Sequence, residues 1–229
     1  MEWLRVTSHD ARIINHAFEE AVGGKDGLRA AEMFWRMREV DIEPQAAAVD
    51  GKDRLDVMAR AAGGYSAGRN PGSFIHGRFL LKMLGRGVNL DLEESVHLED
   101  DLEKVRRGSL ESDLAVAYTQ MRACGMDVSP QDDEVARIIK FAKTDIMHLN
   151  LIHEAESTLK TYYSLARLGV KEDYPQDMRN KAQQALRIMR REGDGYYALV
   201  LLHYMRGILG APGDGTVGEE MPPLRRFTG

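Results

Sequence analysis

A helical pattern of apolar residues recurs five times along the chain. In each copy apolar side chains return at spacings of three, four and seven residues, which is the period of one buried face of an α-helix. The first copy carries this stripe at Ala30, Met33, Phe34 and Met37. The five copies end in related segments at residues 37–42, 83–88, 121–126, 165–170 and 203–208. The spacing therefore predicts five helices, each with one apolar stripe.

Each of these helices is predicted to end in a tight turn. The fifth residue of the closing segment is Gly in four copies and Asp in the first, and an apolar residue follows it every time. Such a residue adopts the positive φ of a helix C-terminal cap, and the apolar residue after it folds back onto the helix. The predicted turn residues are Asp41, Gly87, Gly125, Gly169 and Gly207.

The intervening stretches are predicted to form a partner helix for each copy. Start signals stand at Ser8, at Asp91 with Glu94, at Ser129-Pro130 and at Tyr174-Pro175. A glycine-rich loop is expected over residues 63–72. The turns lie 46, 38, 44 and 38 residues apart, a period typical of stacked helix pairs.

We therefore predict an all-α fold, a right-handed α-solenoid of about five helical hairpins. The helical-repeat domain is assigned to residues 1–209. Residues 210–229 hold three of the seven prolines, and they are predicted to form a flexible tail or an arm that docks on a partner.

Composition narrows the class of protein. The chain of 229 residues is 43% hydrophobic and 29% charged, which is typical of a globular protein. The single Cys124 excludes an internal disulfide. No apolar run is long enough to span a bilayer, and no secretory signal is recognisable, so we expect a soluble intracellular protein without membrane insertion. The net charge of −5 argues against a general polycation.

The first copy resembles a pentatricopeptide (PPR) repeat. The resemblance rests on three segments, residues 14–18, 28–37 and 41–44, whose matching residues are Asn15, Ala30, Phe34, Met37, Ile42 and Pro44. Asp41 stands where the family has Gly, and Gln45 where it has Asp. The resemblance implies binding of single-stranded RNA, one base per repeat, in a mitochondrion or plastid. It also implies that Asn15 reads a base, whereas Gln45 is not a usual reader.

Basic residues collect late in the first helix of several pairs and supply the other candidate RNA-binding residues. They are Lys104, Arg107, Arg137, Lys140, Arg187, Arg190 and Arg191. Stacked side by side, these clusters would form a positive stripe that follows a phosphate backbone. The alternative is that acids at the helix starts and bases at the helix ends only complement the helix dipoles on a solvated surface.

Signals of chemistry are weak, and no catalytic residue, metal or cofactor is assigned. The G-x-S-x-G pattern at residues 64–68 lacks the strand that a hydrolase nucleophile needs. Glu94 with His97, and Asp145 with His148, lack the further carboxylates of a di-iron site, so a metal enzyme is only the third hypothesis. His76 and His203 are expected to be partly buried and hydrogen-bonded. The leading hypothesis is a non-catalytic RNA-binding or RNA-processing protein, and the alternative is a structural subunit of a large complex.

Overall fold

The computed structural model describes residues 4–24, 26–45, 53–86, 92–144 and 150–209, and these segments are helical with no β-strand among them. The all-α prediction is therefore confirmed. Within the described part of the chain, no helix is long and apolar enough to cross a membrane. The helices are α1 Ser8–Gly23, α2 Gly27–Glu39, α3 Arg54–Ser66, α4 Ser73–Met83, α5 Leu92–Gly108, α6 Glu111–Cys124, α7 Asp132–Lys143, α8 Leu151–Arg167, α9 Gln176–Glu192 and α10 Gly195–Leu209.

Consecutive helices pack as five hairpins, and the two ends of the array meet. The second helices α2, α4, α6, α8 and α10 contact one another in that order, and α10 also packs on α1 and α2. The hairpins therefore close into a ring. The predicted right-handed solenoid is therefore not confirmed, because a solenoid of stacked hairpins keeps its first and last hairpins apart. The apolar face of α1, with Ile14 and Phe18 fully buried, is instead covered at this junction.

Two close contacts mark the junction of the ring. The backbone of α10 at Gly195 lies so near α1 that a Cβ on this residue would stand 2.1 Å from the carbonyl oxygen of Ile13. Asp10 of α1 is fully buried and forms an ion pair with Arg190 of α9, with 2.7 Å between Arg190 Nε and Asp10 Oδ1. The junction therefore combines backbone proximity with a buried charge pair.

The second helices run in the same direction around the inside of the ring. On α2 and α4, Glu32 is hydrogen-bonded to His76, and three residues later Trp35 packs edge-on against Phe79. Successive contacts therefore move toward the C-terminus on both helices, so α2 and α4 are parallel. The helices α2 and α10 are also parallel across the junction. Glu32 accepts a hydrogen bond from Tyr196, and Trp35, later on α2, packs against His203, later on α10. The first helices form the outer layer.

Three of the predicted helix ends are confirmed. Asp41, Gly125 and Gly169 have φ angles of 59°, 101° and 84° and follow α2, α6 and α8. After α2 the amide of Ile42 donates to the carbonyl of Met37 at 2.8 Å, which is the hydrogen bond of a Schellman cap.

The predictions for the second and fifth turns are wrong. The positive φ after α4 belongs to Gly85, at 71°, and Gly87 lies outside the described residues. Gly207 lies inside α10 and does not end a helix. Its lack of a side chain serves packing, because a Cβ there would stand 2.3 Å from the Tyr163 ring of α8. A glycine that permits close helix contact looks the same in sequence as one that caps a helix.

Several helix starts also differ from the prediction. Thr7, not Ser8, caps α1, and α7 begins at Asp132 behind Gln131 rather than at Pro130. The glycine-rich loop is shorter than expected, because residues 63–66 continue α3. Asp91 and the tail at residues 210–229 lie outside the described residues.

A distant carboxylate caps α4, the helix that carries His76. Its N-cap, Gly72, has a φ of 80° and offers no capping side chain. Asp101 of α5 accepts hydrogen bonds from the amides of Gly72, Phe74 and Ile75 at 3.0–3.1 Å. The carboxylate satisfies donors that the first turn leaves unpaired, and its charge complements the helix dipole. The start of α4 is thereby held to α5.

Candidate functional site

The inner helices line a half-open central cavity of about 390 Å³. Its lining comes mainly from equivalent positions of successive second helices. Glu32, His76 and Lys160 each lie nine residues before the positive-φ residue that ends their helix. Trp35, Phe79, Thr119 and Tyr163 lie six residues before it, and Arg36, Gln120 and Ser164 lie five before it.

A chain of polar side chains crosses the cavity wall from α6 to α10. Gln120 Nε2 donates to His76 Nδ1 at 2.8 Å, which places the ring proton on Nε2. His76 Nε2 in turn donates to Glu32 Oε1 at 2.9 Å. The second oxygen of Glu32 accepts from the Tyr196 hydroxyl at 3.0 Å. Four inner helices are therefore connected through one carboxylate.

Glu32 is held in its ionised form. Burial raises its pKa, but the hydrogen bond from His76, the charge of Arg36 and the hydrogen bond from Tyr196 outweigh this and lower the pKa to about 2. Arg36 donates to Glu32 Oε2 at 3.2 Å, and its guanidinium lies over the Trp35 ring. The buried charge of Arg36 is therefore compensated by a carboxylate one helical turn earlier.

A second ion pair lies on the other side of the cavity, together with a carboxyl group that has no hydrogen-bond partner among the described residues. Lys160 of α8 donates to Asp113 of α6 at 2.9 Å. Glu156 lies one turn before Lys160 and also lines the cavity. Burial raises the pKa of Glu156, and the charges of Lys160, Arg36 and His153 lower it by less. The surroundings therefore shift the pKa values of Glu156 and Glu32 in opposite directions.

Aromatic rings form a belt toward the C-terminal ends of the inner helices. Trp35 packs edge-on against Phe79 and His203, with ring centroids 5.3 and 4.5 Å apart. Tyr163 contacts both His203 and Tyr204. His203 is buried, and its Nε2 has no hydrogen-bond partner in the part of the chain that the structure describes. Burial lowers its pKa well below the usual value, so the ring is neutral. His203 was expected to be partly buried and hydrogen-bonded; it is almost fully buried, and no hydrogen bond is found at its Nε2 among the described residues.

Asn15, the predicted base reader, is engaged within the fold. It lies on α1 and is 7% exposed. Its Nδ2 donates to the carbonyl of Ala11 at 3.0 Å, and its Oδ1 accepts from the amide of Gln45 at 2.8 Å. Both ends of the side chain thus stabilise the first hairpin.

The predicted basic residues lie on the outer helices and face different environments. Arg190 is bound to Asp10 at the ring junction. Lys104 and Arg107 of α5 lie 3.9 and 3.8 Å from carboxylates of their own helix. The remaining four are exposed on α7 and α9: Arg137, Lys140, Arg187 and Arg191. The structure does not bring these residues into the cavity.

No metal site is found within the part of the chain that the structure describes, where no three His, Cys, Asp or Glu side chains lie close enough to share an ion. Glu94 pairs with Arg78 of α4, and His97 is 3.8 Å from Glu93. Asp145 and His148 lie outside the described residues.

The cavity residues were not singled out from the sequence as a site. The predicted apolar stripe runs 11, 8, 7 and 4 residues before each turn, whereas the cavity face runs nine, six and five before it. The signal that the sequence offers is the polar side chain at Glu32, His76 and Lys160, which interrupts apolar helices at the same level. No protein-family model, curated protein or solved structure matches the chain.

Proposed function

We propose that this protein binds a small, hydroxyl-rich organic molecule in its central cavity. The observation that carries the proposal is the hydrogen-bonded chain from Gln120 through His76 and Glu32 to Tyr196, which borders open space at the centre of the ring. A purely structural ring would fill this position with apolar side chains, because buried charges stabilise a fold poorly. Convergent polar groups around a cavity are typical of ligand sites.

The pairing of the charges favours an uncharged ligand. Glu32 is neutralised by Arg36, and Asp113 by Lys160. These pairs offer hydrogen-bond donors and acceptors while leaving little net charge for an ion to meet. A molecule with several hydroxyl groups, such as a mono- or disaccharide, can both donate to the carboxylates and accept from the basic groups.

Thermal unfolding in the presence of neutral sugars and polyols tests the proposal. At a concentration of 100 Kd, a ligand stabilises the folded state by about 2.7 kcal/mol. For a chain of this size we expect a rise in Tm of about 5–10 °C. Gln120→Leu removes the donor to His76 and should abolish the rise, whereas Arg137→Ala on α7 should keep it. A Tm that no compound raises in the wild type contradicts the proposal.

RNA binding by a PPR-like outer surface is a second candidate. Arg137 and Lys140 are exposed on α7, and neither pairs with a carboxylate of the described residues. Fluorescence anisotropy with labelled single-stranded RNA in a salt series tests it. Binding that weakens with salt and is lost in Arg137→Glu/Lys140→Glu, but not in Gln120→Leu, would support this candidate. No change in the charge-reversed variant would reject it.

A further inference from the structure

The central cavity has two levels of different chemistry along the axis of the ring. The polar level consists of the side chains of Glu32, His76 and Lys160. Three residues later on the same helices, the aromatic belt contributes Trp35, Phe79 and Tyr163. Three residues of an α-helix correspond to a rise of about 4.5 Å. Because the inner helices run in the same direction, the polar level and the aromatic belt follow one another along the cavity.

The polar level has hydrogen-bonding capacity that the protein does not use. The ammonium group of Lys160 can donate three hydrogen bonds, and within the described residues it donates one, to Asp113 Oδ1. The Tyr196 hydroxyl donates to Glu32 and can accept as well. Hydroxyl groups of a bound molecule therefore meet both donors and acceptors at this level.

The aromatic belt faces a wall of small side chains. The helix α6 packs on α4 and α8, its neighbours in the ring, so it faces α2 and α10 across the cavity. The cavity lining includes Trp35 of α2 and Tyr204 of α10, and from α6 it includes Thr119 and Ala123. The Thr119 hydroxyl donates to the carbonyl of Ala115 in its own helix at 2.9 Å. Large rings on one side and small side chains on the other leave a slot for a flat apolar group.

The rings of the belt hold one another in place. Trp35 packs edge-on against Phe79, with an angle of 87° between the ring planes. Tyr163 packs against Tyr204, with ring centroids 5.3 Å apart. Only 7% of Trp35 and 5% of Phe79 is exposed. The belt is therefore a preformed apolar surface, and a ligand does not have to order it.

Resting on the proposed binding of a hydroxyl-rich molecule, we infer that the ligand is a glycoside with an aromatic aglycone. Its sugar hydroxyls bind at the polar level, and its aromatic ring lies in the slot between Trp35 and Thr119. A free sugar would leave the belt without a partner, and a purely aromatic compound would leave the polar level without one. The cavity of about 390 Å³ is near the lower end of the range for small-molecule sites, which suits one sugar and one aromatic ring.

Isothermal titration calorimetry of the full chain with phenyl and methyl glycosides of the same hexoses tests the aglycone. Both compounds are uncharged and differ only in the group on the anomeric oxygen. Burial of a phenyl ring corresponds to about 10–100-fold in affinity, so we expect the phenyl glycoside to bind that much more tightly.

Variants at Thr119 test the place of the aromatic ring. Thr119→Leu fills the slot, so it should abolish the preference for the phenyl glycoside and leave the affinity for the methyl glycoside unchanged. Thr119→Ser keeps the hydroxyl and adds no bulk, so this matched control should keep the preference. Circular dichroism melts of both variants show whether the fold is retained.

Tryptophan fluorescence gives a second measurement in which the slot is intact. The chain holds two tryptophans, and Trp3→Phe leaves Trp35 as the only one. A nitrophenyl group close to an indole quenches its emission. A 4-nitrophenyl glycoside should therefore quench Trp35 in a saturable way, and an excess of the phenyl glycoside should reverse the quenching by competition. Absence of saturable quenching would contradict the inference.

The outcomes separate this inference from the proposed function. Phenyl and methyl glycosides that bind equally tightly would overturn the inference and leave the binding of a hydroxyl-rich molecule in place. A phenyl preference that Thr119→Leu retains would also overturn the inference. If phenol alone binds as tightly as the phenyl glycoside, or if no sugar and no glycoside binds, both the inference and the proposed function fail.

Discussion

The buried ion pair at the ring junction gives the most direct test of the closed architecture. Asp10 is 0% exposed, and its carboxylate accepts four hydrogen bonds: two from Thr7 and two from Arg190, at 2.7–2.9 Å. Asp10→Ala therefore removes the carboxylate that completes the capping box with Thr7, and it removes the buried charge that pairs with Arg190. We expect α1 to loosen from α9 and α10.

The magnitude follows from these contacts. Loss of an N-terminal cap costs about 1 kcal/mol. Breaking a fully buried ion pair costs about 3–5 kcal/mol, but the Arg190 side chain is 19% exposed, so we take about 2–3 kcal/mol for it. Asp10→Ala should thus lower the free energy of unfolding by about 3–4 kcal/mol, which corresponds to a Tm lower by about 6–16 °C.

Urea unfolding at pH 7, followed by circular dichroism, measures this change. Glu19→Ala on the exposed face of α1 is the control and should change the free energy of unfolding by less than about 0.5 kcal/mol. A double-mutant cycle with Arg190→Met should return a coupling of at least about 1 kcal/mol. If Asp10→Ala and Glu19→Ala are equally stable, the closing contact does not form in solution and the ring is refuted.

Further predictions concern the elements around the cavity. Asp101→Ala, which uncaps α4, should cost about 2–4 kcal/mol in urea unfolding, whereas its exposed neighbour variant Asp100→Ala should be neutral within about 0.5 kcal/mol. Gly195→Ala forces α10 away from α1 and should cost at least about 2 kcal/mol, while Gly63→Ala, with open space around it, should gain about 0.5–1 kcal/mol. The lowered pKa of Glu32 contributes stability that is present above its usual pKa near 4.5 and is lost as the pH falls toward 2. The stability difference between wild type and Glu32→Gln should therefore shrink between pH 7 and pH 2.5, and a constant difference would contradict this.

The sequence predicts the helices well because their apolar stripes are local features. Most members of the predicted stripe are buried, including Met33, Tyr118, Leu165 and Leu199. The error at the second turn arose because Gly85 and Gly87 are both compatible with a cap, and only the tertiary structure selects between them.

Ring closure and the cavity depend on contacts that sequence periodicity does not report. The pair of Asp10 and Arg190 joins residues that are 180 positions apart, and nothing in the local pattern of either helix indicates the other. In the local sequence, Glu32 and His76 look like ordinary polar positions of amphipathic helices. Only the packing of α2 against α4 shows that the two side chains are hydrogen-bonded to each other in the cavity wall.

Closure of the ring and formation of the site are two aspects of the same packing. Neighbouring helices lie about 8–10 Å apart, so the axes of five inner helices lie about 7–9 Å from the centre. Helices with a radius of about 5–6 Å leave only a narrow gap there, and small side chains such as Ala117 and Ala123 of α6 widen it. The hydrogen bond from Tyr196 to Glu32 crosses the junction between α10 and α2. Opening the junction would therefore remove a wall of the cavity and one donor from its central carboxylate, so the proposed ligand binding requires the closed ring.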